Sequence, residues 1–94
     1  MNFGEKIKEL REGQGLLQRQ LAANLEIDTP MFSKIERGER KAKREQVDLL
    51  AELLHADKPT LISIWLADQI FELIQNEPQA SEAIEIVKKE LKKI

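Results

Sequence analysis

Gln18-Arg19-Gln20-Leu21-Ala22-Ala23-Asn24-Leu25-Glu26-Ile27-Asp28-Thr29-Pro30-Met31-Phe32-Ser33-Lys34-Ile35-Glu36-Arg37-Gly38 is the stretch on which the fold turns. Together with Leu17 just ahead of it, its first part is apolar at Leu17, Leu21, Ala22 and Leu25, which is a helical spacing. A break follows. Asp28 then offers a side-chain acceptor for the free amides of a new helix, and Pro30 stands in the first turn, where a missing N–H costs little. Phe32 and Ile35 are spaced to face inward, and Gly38 supplies a stop. The reading is two short helices, about 17–25 and 29–37, joined by a tight turn. Leu21, Ala22, Ile27, Phe32 and Ile35 pack between them, with Ala22 small where the helices approach most closely.

The flanks extend the same period. Upstream, Phe3, Ile7 and Leu10 alternate with charged residues as an amphipathic helix, closed by Gly13 and Gly15. Downstream, residues 39–43 form a polar connector. A fourth helix over about 44–54 buries Val47, Leu50, Ala51 and Leu54. Asp57 caps a fifth, from Lys58 or Pro59 to about Gln75, whose Trp65, Ile70, Phe71 and Ile74 exceed what a four-helix core needs. Asn76-Glu77-Pro78 ends it and starts a sixth helix, expected to reach the C-terminus. There Ala80, Ile84, Val87, Leu91 and Ile94 are spaced four, three, four and three, the period of a coiled-coil seam. No strand-like alternation of useful length occurs. The expected fold is all-α, with residues 1–75 as one helical domain and 76–94 as an added C-terminal helix.

Composition narrows the chemistry. With 94 residues, 41% of them hydrophobic, there is one core's worth of apolar material and no sign of global disorder. The absence of cysteine removes disulfides, thiol catalysis and cysteine-ligated metals. No leader-like charged and apolar pairing opens the chain. The richest apolar run, 61–67, falls far short of the roughly 20 residues that span a bilayer. These features predict a soluble, cytoplasmic protein. One histidine, no glycine-rich phosphate loop and no metal-ligand motif predict that it is not an enzyme and needs no cofactor. The net charge of -2 hides a division. Residues 1–44 hold ten Lys/Arg against seven Asp/Glu, residues 45–94 five against ten, and residues 34–44 six against two. A polyanion is bound by local charge, screened beyond about 10 Å, so a small basic face suffices.

Gln18-Arg19-Gln20-Leu21-Ala22, Ile27-Asp28 and Ser33-Lys34-Ile35-Glu36-Arg37-Gly38 closely resemble the helix-turn-helix of the Cro/phage-repressor (XRE-like) family. Ile7-Lys8-Glu9-Leu10-Arg11 and Leu50-Ala51-x-x-Leu54 match its flanking helices. The resemblance runs from about Phe3 to Leu66. It implies a lambda-repressor-like, five-helix DNA-binding domain, here with an extra C-terminal helix, bound to double-stranded DNA through the second helix of the motif.

The resemblance also assigns roles. Thr29, Pro30 and Met31 form the edge that enters the major groove, with Lys34 one turn further on. The methyl groups of Thr29 and Met31 suit a thymine methyl, and the Lys34 ammonium suits guanine O6 or N7. Gln18 and Arg19 at the start of the first motif helix, and Arg37, Arg40, Lys41, Lys43 and Arg44 around the following loop, fall where the family contacts phosphates. Arg11 and Glu36 match a structural ion pair. Three positions depart from the pattern. Glu26 and His55 stand where glycine is expected, so a left-handed conformation or a reshaped turn is required there, and Leu17 replaces the usual hydroxyl cap. The family's habit of pairing implies a homodimer on a pseudo-palindromic operator, with Trp65, Ile70, Ile74, Ile84, Val87 and Leu91 as its interface. The expected function is transcriptional regulation, as a repressor or autoregulating controller. The alternatives are an antitoxin that also binds a toxin, and an all-α interaction adaptor.

Overall fold

The computed structural model describes residues 2–94, which form six α-helices: α1 Phe3–Gly13, α2 Gln18–Asn24, α3 Thr29–Glu36, α4 Arg44–Leu53, α5 Lys58–Ile74 and α6 Ala80–Leu91. The fold is all-α, and no strand occurs among the described residues. Side-chain caps set the starts. Asn2 accepts from the Glu5 amide at 2.8 Å, Asp28 from that of Met31 at 2.7 Å and Asp57 from that of Thr60 at 3.1 Å. Leu17 and Lys43 cannot cap in this way. Instead Gln20 and Gln46 reach back, and their Oε1 atoms accept from the Leu17 and Lys43 amides at 2.7 and 2.8 Å.

The first four helices all stop by one device. Leu16 N–H donates to Arg11 O, Ile27 to Ala22 O, Glu39 to Lys34 O and Ala56 to Ala51 O, each across five residues. The residue before each donor is left-handed: Gly15 at φ 69°, Glu26 at 59°, Gly38 at 76° and His55 at 53°. These are Schellman turns. The two positions that lack the expected glycine therefore keep the turn and adopt the conformation that glycine would have relieved.

Burial gathers Phe3, Ile7, Leu21, Leu25, Phe32, Ile35, Val47, Leu50, Leu54 and Leu61 into one core. The helices pair chiefly as α2 with α3, α4 with α5, and α1 with α3 and α5. Gly4 explains the closeness of α1 to α3, because a Cβ there would lie 2.5 Å from the Ile35 carbonyl oxygen and closer still to that of Glu36. Trp65 is half-buried: its indole Nε1 donates to Ala42 O at 2.8 Å and its ring packs on the core.

Beyond Trp65 the character of α5 reverses. Asp68, Gln69 and Glu72, on the side of Leu61 and Trp65, line a cleft shared with Phe3, Ile35 and Ala42, while Leu66, Ile70, Phe71 and Leu73 lie exposed, Leu73 to 80%. The sixth helix buries no residue and enters none of the main pairings. It also stops at Leu91, short of the expected C-terminus, and Lys92 and Lys93 form a turn. Ile94 is therefore outside the seam and fully exposed. The radius of gyration is 15.0 Å, against about 12 Å for a compact chain of this length, which agrees with a helix that projects. No helix among the described residues is long and apolar enough to cross a membrane.

Candidate nucleic-acid interface

A frame of buried polar bonds holds α2 and α3. The Arg11 guanidinium on α1 forks onto the Glu36 carboxylate at the end of α3, with Nε to Oε2 at 2.7 Å and Nη2 to Oε1 at 3.1 Å. Its Nη1 donates to Leu16 O, just ahead of α2, at 2.9 Å. Both residues are buried, Arg11 to 8% exposure and Glu36 to 5%. Hydrogen bonding to Glu36 strengthens the hold of the guanidinium on its proton, against the opposing effect of burial. A charge pair this dry fixes geometry, since a planar fork matches a carboxylate in only one orientation.

On this frame the start of α3 stands clear. Thr29 and Pro30 are exposed, Lys34 is exposed one turn on, and Phe32, Ile35 and Glu36 turn inward. Met31 is half-buried, so of the expected base-reading residues it is set back furthest. The Asp28 cap occupies the Met31 amide and fixes where α3 begins. The exposed edge is thus narrow: a hydroxyl and methyl, a rigid ring and one ammonium.

The expected phosphate ligands fall into three groups. Arg19, Lys43 and Arg44 are exposed and form no ion pair among the described residues. Arg40 and Lys41 are exposed as well and line a cleft of 170 Å³ with Glu39, Trp65, Asp68, Gln69 and Glu72. Gln18 and Arg37 are engaged. Gln18 donates one amide hydrogen to Glu36 Oε1 at 2.8 Å, which leaves a second, and the Arg37 guanidinium bonds the Glu39 carboxylate and the Ser33 hydroxyl. That contact holds the Glu39 carboxyl below its usual range. Gln18, Ser33 and Arg37 share an open polar cleft of 390 Å³ with Asn2, Glu5 and Lys8.

Lys8 was not singled out by sequence reasoning, because on its own helix it is one of several solvated charges; only the packing of α1 beside α3 brings it there. Asp68 was missed as well. Its Oδ2 accepts from the Phe3 amide at 2.8 Å, so α5 anchors the first turn of α1. The connector carries a further organising residue in Ala42, whose buried side chain and engaged carbonyl pin the loop between Arg40-Lys41 and Lys43-Arg44.

Residues 2–62 match the family described as a helix-turn-helix domain, so the match covers α1 to α4 and the start of α5. Comparison with curated proteins and with solved structures returned no match.

Proposed function

The chain belongs to the helix-turn-helix domain family, and from that premise we propose that it is a sequence-specific transcriptional regulator that acts by occupying an operator in double-stranded DNA. The observation that carries this reading is the exposed start of α3, Thr29, Pro30 and Lys34, set on a frame locked by Arg11 and Glu36. An edge that reads bases must be both accessible and rigid, and this one is both. Arg19, Lys43 and Arg44 supply exposed positive charge for phosphates.

The edge is lightly charged, so one copy binds weakly and two copies bind through combined contacts. The exposed apolar surface of α5 and α6 supports pairing. A two-fold pair would set two α3 helices about 34 Å apart, over half-sites one duplex turn from centre to centre.

Selection of bound sequences from a random duplex pool tests the reading, followed by mobility shift at low and moderate salt. The expected result is a pair of inverted half-sites. No shift at low salt would overturn DNA binding. A single asymmetric site would overturn pairing on DNA.

A further inference from the structure

Past Leu61 the side of α5 that faces the rest of the chain carries polar groups, while apolar residues face solvent. Trp65, Asp68, Gln69 and Glu72 are spaced three, one and three, so they share one face of the helix. That face forms one wall of the 170 Å³ cleft. The connector after α3 forms another, with Arg40 and Lys41, and the buried Phe3, Ile35 and Ala42 supply apolar lining. Packing alone would favour the reverse, with Leu66, Ile70 and Leu73 turned inward. A few polar groups converging over an apolar surface are instead what a small-molecule site presents.

Three carboxylates and two cations line the cleft. Glu39 is paired with Arg37, which does not line it. Asp68 and Glu72 on α5 are left against Arg40 and Lys41 on the connector, and none of these four forms an ion pair among the described residues. Asp68 has already given one oxygen to the Phe3 amide, so Glu72 is the freer carboxylate. A ligand of net charge would upset this balance, whereas one that carries both an ammonium and a carboxylate preserves it. We propose that the cleft binds a free amino acid with an apolar side chain. Its ammonium meets Glu72, its carboxylate meets Arg40 or Lys41, and its side chain lies against Trp65 and Phe3. A cavity of about 150 Å³ holds one benzene ring, so phenylalanine and leucine are of suitable size. Arg40 and Lys41 belong to the connector expected at phosphates, so a carboxylate held there withdraws charge from DNA. Amino acid and duplex then weaken one another by the same factor. This last consequence rests on the operator reading, and the site itself does not.

Trp65 is the single tryptophan and the chain has no tyrosine, so its fluorescence reports on the cleft without a label. The free protein is titrated into the millimolar range with phenylalanine and leucine, and with hydrocinnamate and phenethylamine, which keep the ring and one charge each. The expected result is a saturable change with phenylalanine or leucine, several-fold tighter than with either analogue. Glu72→Gln, and Arg40→Gln combined with Lys41→Gln, should each weaken it several-fold; all three positions are exposed, and circular dichroism checks that the variants keep their helices. Equal binding of the analogues would overturn the amino acid as the ligand. A response unmoved by the variants would overturn the cleft as the site, and no saturable change with either amino acid would overturn the proposal whole. In mobility shift, the amino acid that binds should weaken DNA binding several-fold. Unchanged DNA affinity beside an intact fluorescence response would overturn the coupling alone. Failure to bind DNA without ligand would sink the operator reading and leave the site standing.

Discussion

The indole Nε1 of Trp65 donates to the carbonyl oxygen of Ala42 at 2.8 Å, so one residue of α5 fixes the loop that carries Arg40, Lys41 and Lys43 and leads into Arg44 at the start of α4. The bond spans 23 residues of sequence. It joins the helix whose far half is exposed and apolar to the loop that follows α3.

Trp65→Phe keeps most of the ring and removes the donor. The Ala42 carbonyl then loses its partner, at a cost of about 1–3 kcal/mol. Thermal melting should show the loss, at roughly 4–8 °C per kcal/mol for a domain of this size. DNA affinity should fall by more than Leu66→Ala causes, since Leu66 is exposed and holds no loop.

Arg11→Ala strands the Glu36 carboxylate in a buried site, and such losses run to about 3–5 kcal/mol. Replacing both partners, Arg11→Met with Glu36→Leu, should cost less than Arg11→Ala alone, because no uncompensated charge remains. Urea denaturation of the three chains checks the order.

Gly4→Ala should destabilise by about 1–3 kcal/mol, as overpacking against backbone does. The added methyl would meet the carbonyl oxygens of Ile35 and Glu36, which are bound into the end of α3 and cannot swing aside as a side chain would. Gly13→Ala is the control, since a Cβ there meets nothing within 4 Å. Calorimetry should separate the two by several degrees.

Glu26→Gly and His55→Gly should each stabilise, by up to about 1 kcal/mol. Each relieves a left-handed residue, at φ 59° for Glu26 and 53° for His55, although glycine returns part of the gain as unfolded-state entropy. Melting temperatures above that of the parent chain are the expected outcome. Equal or lower values would show that these side chains bear little strain.

Lys34→Ala and Arg44→Ala should differ in kind. Losing Lys34 should relax the preference at one position of each half-site, at about 1–3 kcal/mol. Losing Arg44 should weaken all duplexes alike and lower the salt slope by about one. Binding titrations on two sequences at two salt concentrations distinguish these outcomes.

Helix placement was legible because it depends on neighbours within about five residues. Asp28 as cap, Pro30 in the first turn and Gly38 as stop each act over that range. The left-handed conformation expected at Glu26 and His55 is present for the same reason. The accessibility of the candidate site was less legible. Nothing in the run Arg37 to Arg44 indicates that Arg37 folds onto Glu39 and Ser33 while Lys43 and Arg44 stand free. That depends on which way each side chain leaves its turn.

By itself, then, the sequence determined the six helices, the short turn between α2 and α3, and the apolar positions that bring those two helices together. These follow from local spacing and from side chains that satisfy nearby amides. Only the tertiary structure decided that Trp65 turns inward to Ala42, that Asp68 anchors α1, and that Gly4 is required where α1 crosses the end of α3. Such contacts join residues tens of positions apart, and their partners are set by how whole helices pack. The exposed turn at the start of α3 combines both causes: its residues and cap are local, and its rigidity comes from Arg11, 25 residues away from Glu36 in sequence.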